Sequence, residues 1–365
     1  MPADGGQVAD WFSKPGDAIG ALMHRRCVTA EELAAHLDGG VDELRSLLEG
    51  HSRIDGRSSE VLSQFLGGSS KFWLKRQENF EQALEAAVEA AAEDADGWFG
   101  SVPIPRSRGR RPTTDKGVRD ELRRRMLFYS VPTLASWEQR YGRICTETHF
   151  RRSMSFVPLD SAVLLWLRRG ELEAELVQTR SWSPERLKDR LDRIRQLTRI
   201  NHPSRFLPKL RSICAEAGVA VVIVRTPKGC HASGATRLVT ADKAMILLSF
   251  RHRSDDHFWF TVFHEIGHLL LHGADTFVDS DETPTDELEQ QANDFARQCL
   301  IPPEREEEFL RLKAVRNSII RFSVSAGIAP GLTVGQMQHR KMIEHSQMNF
   351  LKRRWKWDEI DHACV

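Results

Sequence analysis

The sequence predicts a mostly helical α+β chain, and three observations carry that expectation. Between residues 15 and about 95, apolar residues recur at helical spacing in five short segments separated by Gly and Ser turns. Three short aliphatic runs, 219–224, 232–239 and 243–249, read as a small sheet of about three strands. Directly after them, the nearly all-apolar run 256–273 reads as one helix buried through the middle of a domain.

At 365 residues the chain exceeds what one hydrophobic core usually organises, so two or three domains are expected. The N-terminal one is an all-α bundle over residues 15–95. Pro15-Gly16-Asp17 opens its first helix, and Thr29-Ala-Glu-Glu32 is a capping box for the second, which carries Leu33, Ala34 and Leu37 on one face. Gly39-Gly40 makes a turn into a third helix with Val41, Leu44, Leu47 and Leu48, which ends at Gly50. Ser58 or Ser59 starts a fourth, and Ser69-Ser70 starts a fifth with Phe72, Trp73, Phe80, Leu84 and Val88.

Two short helices across a Gly turn inside such a bundle describe a helix-turn-helix. The stretches V-T-A-E-E-L-A-A-H-L, L-L-E-G and L-G-G-S-S-K-F-W-L resemble the XRE-type domain of HigA-like antitoxins and phage repressors, over roughly residues 15–85. That resemblance implies DNA as a partner. The candidate recognition helix, 41–50, departs from the pattern by presenting Asp42, Glu43 and Glu49, which repel phosphates. DNA contact therefore falls to Arg45, His51, Arg53, Arg57 and Lys71, with Lys75 and Arg76 beside them. The alternative is a helix-turn-helix kept for homodimerisation or for gripping a protein partner.

Residues 96–117 turn abruptly to Gly, Pro and Arg and read as a linker. Arg106, Arg108, Arg110 and Arg111 can lie against DNA phosphates or in a minor groove, and a solvated hinge is the plainer account. Helices resume over a connecting region, 118–200, and a further helix ends at Gly218 before the strands.

The chemistry concentrates in the helix after the strands. His264 and His268 are four residues apart in an H-E-x-x-H sequence, so both imidazoles lie on one face and can share a metal ion. Glu265 sits about 100° round the helix, beside that metal, where a carboxylate can take a proton from water. Asp255 and Asp256 are the expected caps and Gly273 the expected stop. His272 is expected to meet the last carbonyls of the helix. Catalytic zinc usually takes a third protein ligand and leaves a fourth position open. After an acidic loop, 275–286, the amphipathic segment 287–301 offers Glu289 and, in competition, Glu287.

The pairing of F-x-x-x-H-E-I-G-H-L-L-L-H-G with E-x-x-A-N-x-F-A-x-x-x-L-I-P resembles the ImmA/IrrE family of gluzincin-like metallopeptidases. The resemblance implies a zincin-like core over 201–303, one Zn2+ per chain on His264, His268 and Glu289, and Glu265 as general base. Asn293, one turn after Glu289, falls on the ligand face and is placed to orient Glu289 or a ligand histidine. Peptidases of this kind lay substrate along a sheet edge, expected here near 232–249, with His231, Arg237 and His257 as candidate oxyanion partners.

The closing segment, 304–365, reads as amphipathic helices and resembles the end of long HigA-like regulators that carry a peptidase domain. Its basic cluster, Lys341, Lys352, Arg353, Arg354 and Lys356, reads as a solvated helix face rather than a nucleic-acid site. A net charge of +1, with 28% charged and 41% hydrophobic residues, is the composition expected of an ordinary soluble protein. Six scattered cysteines without C-x-x-C spacing argue against a disulfide framework, and no apolar run reaches the roughly 18 residues of a membrane span. With no signal-peptide pattern at the N-terminus, a cytoplasmic location is expected.

Together these features predict a stress or mobile-element regulator, in which a helix-turn-helix is coupled to a zinc endopeptidase that cleaves a transcriptional repressor or other regulatory protein. The rival is a HigA-like antitoxin and transcription regulator, partnered with a toxin, whose peptidase fold is inactive.

Overall fold

The computed structural model describes residues 12–105, 111–149, 158–273, 277–280 and 287–360. The chain divides into two compact units, Met1–Phe156 and Val157–Val365. This division differs from the expected boundaries, because it splits the connecting region 118–200 between the two.

The first unit is all helical: α1 (Pro15–Arg26), α2 (Ala30–Ala34), α3 (Gly40–Glu49), α4 (Gly56–Leu66), α5 (Ser70–Ala92), α6 (Ala95–Ser101), α7 (Asp115–Tyr129) and α8 (Leu134–His149). Local chemistry sets most of the starts. Thr29 Oγ1 accepts from the Glu32 N–H at 3.1 Å while the Glu32 carboxylate accepts from the Thr29 N–H at 2.8 Å, a reciprocal cap on α2. Ser69 caps α5 through the Phe72 N–H. α4 starts earlier than expected, since Asp55 and not Ser58 or Ser59 is its cap, accepting from the Ser58 N–H at 2.8 Å. Ile19, Leu33, Leu44, Leu62 and Trp73 are fully buried in this unit. The expected linker is part of this unit at its start: α6 occupies it, and Trp98, Val102 and Ile104 are buried. Apolar anchors among its Gly and Pro residues outweigh the loop-like composition. Arg111 pairs with Asp96, whereas Arg106, Arg108 and Arg110 lie outside the described residues.

The second unit opens with α9 (Pro158–Leu176), α10 (Pro184–Lys188), α11 (Leu191–Leu197) and α12 (Pro203–Ala215), followed by β1 (Val219–Ile223), β2 (Ala232–Thr240) and β3 (Lys243–Leu248). α13 (Asp255–Leu271) crosses the sheet, β4 (Phe277–Ser280) returns to it, and α14 (Glu287–Leu300) packs on α13. α15 (Glu306–Leu310), α16 (Arg316–Ala326), α17 (Pro330–His339) and α18 (Trp357–Ile360) complete it. Among the described residues no single helix is long and apolar enough to cross a membrane.

The sheet has four strands in the order β1-β3-β2-β4, parallel between β1 and β3 and antiparallel elsewhere. β1 and β3 are buried along their whole length because helices cover both faces, α9 and α12 among them, which explains their unbroken aliphatic composition. β4 is a departure from expectation. It lies inside the segment read as an acidic loop, where four residues ending in Asp and Ser carry no strand signal of their own. Pairing with β2, from Ala232↔Ser280 to Thr236↔Phe277, makes the strand. The expected substrate edge at 232–249 is accordingly covered along 232–236, and β4 is the outer strand on that side.

The basic segment near residue 350 also differs from a solvated helix face. Asn349–Leu351 is a single 3-10 turn, after which the chain runs extended across the start of α13. The Asp255 N–H donates to the Arg353 carbonyl and the Arg353 N–H to Asp255 Oδ1, both at 3.0 Å. Lys352 pairs with Asp256 at 2.6 Å with both side chains buried, and Trp355 packs among Phe206, Phe250 and Phe258. The cap of α13 is Ser254, not the two aspartates, which lie in the first turn and fasten this strap.

Asp255 is fully buried against Gly331, and its Oδ2 has no hydrogen-bond partner among the described residues. Burial, and then the neighbouring Asp256 charge, push its carboxyl from 3.8 up to about 7. Between these values the folded state holds a proton that the unfolded chain has released, so stability falls as pH rises through this window. The expected outcome is a melting temperature that declines from about pH 4 to about pH 7 in the wild type and declines less in Asp255→Asn, which is neutral throughout. Thermal melts of both proteins across that range check it, and parallel curves would contradict it.

Candidate metal centre

α13 is apolar nearly all round, and Phe258, Trp259, Val262, Phe263, Ile266 and Leu269 bury it between the sheet and α14. Within this apolar surround His264, Glu265 and His268 are buried. α14 approaches closely because α13 has a glycine at the crossing. A Cβ on Gly267 would stand 3.3 Å from the Ala292 Cα and 3.1 Å from the Phe295 ring. That approach brings Glu289 over the two histidines.

His264 Nε2 lies 3.0 Å from His268 Nε2, and Glu289 Oε2 and Oε1 lie 3.2 and 3.4 Å from them in turn. The three side chains offer ligand atoms that all fall within 4.8 Å of one another, the one such group of His, Cys, Asp and Glu among the described residues. Bond lengths of about 2.0–2.2 Å around a tetrahedral zinc put neighbouring ligand atoms roughly 3.3 Å apart, the spacing found here. Glu287 is exposed and contacts Gln291, so the geometry favours Glu289 over it.

The charge balance points the same way. Burial alone would raise the Glu289 carboxyl, yet hydrogen bonds from His264 and His268 hold it at about 2. Burial lowers His268 below the ordinary imidazole range. At neutral pH the cluster therefore offers an ionised carboxylate beside two imidazole side chains in a buried place, a donor set suited to a divalent cation.

Both histidines are held from behind. Asn293 Oδ1 accepts from His264 Nδ1 at 3.1 Å, which turns His264 Nε2 toward Glu289 and His268. His268 Nδ1 contacts His272 Nδ1 at 3.0 Å, and His272 Nε2 contacts Gln291 Oε1 at 3.0 Å. With His268 Nε2 turned to the cluster, the protons order themselves: His268 donates to His272, which donates to Gln291. His272 thus ties α13 to α14 instead of meeting the last carbonyls of its helix. Phe277 of β4 stacks on His268, with ring centres 4.1 Å apart and planes 14° from parallel.

Glu265 is fully buried and faces β2. A Cβ on Gly234 would come within 2.3 Å of Glu265 Oε1, so only glycine leaves room for the carboxyl at that point of the strand. The adjoining Thr236 hydroxyl donates to the Glu265 carbonyl at 3.3 Å. Sequence reasoning missed Gly234, His272 as a bridge, Gln291 and Phe277. Only the histidine stripe at 264, 268 and 272 carried a visible signal for any of them.

The other candidate residues are placed as follows. Arg237 pairs with Glu171 at 2.7 Å, His257 stacks on His252, and the His231 carbonyl accepts from Arg251. In the first unit, four of the five candidate DNA-contacting side chains face carboxylates: Arg45 with Asp42, His51 with Glu49, Arg53 with Glu81 and Arg57 with Asp38. Lys71 is exposed at the start of α5.

Residues 216–328 match the peptidase M78 family described as the IrrE N-terminal-like domain. The matched stretch includes all four strands, α13 and α14, and so contains the whole cluster. No curated protein matches the chain.

Two outcomes are expected for metal content. Purified protein should carry about one zinc per chain, His264→Ala and Glu289→Ala should lose it, and Glu287→Ala should keep it. His272→Ala should weaken zinc binding by about 10- to 100-fold through loss of the group that orients His268. Metal analysis and chelator competition check both, and a Glu287→Ala protein without zinc would displace Glu289 from the ligand set.

Proposed function

We propose that the protein is a zinc-dependent endopeptidase-type regulator that cleaves a specific regulatory protein, such as a transcriptional repressor. The observation that carries this reading is Glu265, a buried carboxylate one residue from a histidine of a three-donor cluster. A site retained for structure alone has no need of it. A zinc ion bound by His264, His268 and Glu289 would supply Lewis acidity toward water and toward the scissile carbonyl.

The chain's own residues supply the rest. Glu265 takes the proton of the attacking water as its oxygen bonds to the carbonyl carbon, then passes that proton to the departing amine nitrogen as the C–N bond breaks. Gly234 gives its carboxyl room, and Asn293 and His272 hold the two imidazoles in the tautomer that presents Nε2. β4, the outer strand next to His268, is where an extended substrate would add to the sheet.

In this reading the first unit is the helix-turn-helix module that addresses the molecule to its partner in the cytoplasm, as a stress-response or mobile-element regulator. The pairing of Arg45, His51, Arg53 and Arg57 with carboxylates favours a protein partner, a second copy of the chain included, over phosphate contact. A HigA-like antitoxin with an inactive peptidase fold is the rival, and Glu265 counts against it.

Glu265→Gln separates chemistry from scaffold, because this residue is not one of the three donors. Zinc content and folding should stay near wild type while cleavage of the substrate falls by about 10²–10⁴-fold. The assay is proteolysis of repressors encoded beside the gene, with zinc measured in both proteins. A variant that keeps full cleavage would remove Glu265 from the chemistry and with it this reading.

A further inference from the structure

A cavity of about 540 Å³ opens between α14, α15 and α17, lined by Asp294, Arg297, Gln298, Glu306, His339 and Arg340 among others. It lies beside the metal centre on two independent lines. Along α14, Glu289, Asn293 and Arg297 recur every fourth residue on one face, so Arg297 stands two turns, roughly 12 Å, beyond the third donor. On α13, Phe260 sits one turn before His264, and its ring centre is 6.3 Å from His264 and 6.5 Å from His339. The cavity wall therefore continues the wall of the cluster.

Its hydrogen-bonding groups are unevenly committed. Asp294 already accepts from Arg297 and from Gln290, and Glu306 accepts from Arg340. An arginine has five N–H donors, and one carboxylate uses at most two of them. Arg297 Nε is buried with no hydrogen-bond partner among the described residues. Arg340 is fixed over the Phe309 ring at 4.9 Å, so its guanidinium is held in place before anything binds. Burial, followed by the nearby Arg297, Arg340 and His345, disfavours the charged form of His339. Carboxylates that already hold their arginines, and arginine donors left over, describe a receptor for a carboxylate.

We propose that this cavity, through Arg297 and Arg340, is a specificity subsite that binds a carboxylate of the substrate about three residues along an extended chain from the bond to be cut. The proposal rests on the peptidase reading given above. The carboxylate comes from an Asp or Glu side chain or from the free end of a polypeptide.

Binding tests it without reliance on turnover. Zinc-loaded full-length protein is titrated by calorimetry with amidated peptides that carry a metal-binding hydroxamate at either end and Glu, Gln or Lys at the second, third or fourth residue from it. At one of these positions Glu should bind about tenfold or more tighter than Gln, and Lys weakest. Arg297→Gln should abolish that preference, and Arg297→Lys should restore part of it. A second series of Gln peptides, with free-acid ends against amide ends, distinguishes a chain end from a side chain as the source of the carboxylate. Equal binding of Glu, Gln and free-acid peptides, or a preference that survives Arg297→Gln, would overturn the subsite while leaving the peptidase reading intact. Failure of every hydroxamate to bind protein that carries its zinc would overturn both.

Discussion

The close crossing of α13 and α14 is the contact on which the rest of the second unit depends. Glu289 is ionised and half surrounded by apolar side chains, and a buried carboxylate left alone costs several kcal/mol. It is accommodated because Gly267 admits the backbone of α14 near Ala292, which puts the Nε2 atoms of two imidazoles within 3.4 Å of its oxygens. A side chain at 267 would press on Ala292 and Phe295, the contact that sets Glu289 over the histidines. The sheet on one flank and α17 on the other hold this crossing, and the polar contacts of Asn293 and His272 add orientation to it.

The parts of this arrangement that were legible in the sequence are those set by neighbours along the chain. Thr29 and Glu32 cap a helix from three residues apart, and His264 and His268 share a face because four residues make about one turn. The apolar run 256–273 can only be an interior helix. Glu289 followed from the need for a third donor and from the spacing to Ala292 and Asn293, although Glu287 competed until the structure turned it outward.

What stayed hidden is made by partners far apart. β4 is a strand only because β2 offers it a register, and Gly234 is significant only because Glu265 lies above it. His272 was read against its own helix, yet its second nitrogen reaches Gln291 on the next one. Composition misled twice for the same reason: the Gly-Pro-Arg stretch after residue 96 hides Trp98, Val102 and Ile104 as anchors, and the basic stretch after residue 350 hides Trp355 and a buried Lys352–Asp256 pair. In both places a few buried side chains decide the structure while the many exposed ones decide the composition.

The strap across the start of α13 sets an order of events during synthesis. Ser254 and Asp255 find their backbone partners in Arg353 and Arg354, nearly a hundred residues later. A ribosome therefore makes both histidines, Glu265 and Glu289 well before it makes the segment that closes the first turn of α13. Contacts between residues so far apart in sequence form more slowly than local ones. Until residue 355 emerges, Phe250 and Phe258 lack the indole that covers them, and the N–H of Asp255 lacks its acceptor. A nascent or clipped chain that stops short of that point would present the complete cluster on an unfinished helix, so α13 is completed only after the strap has been translated.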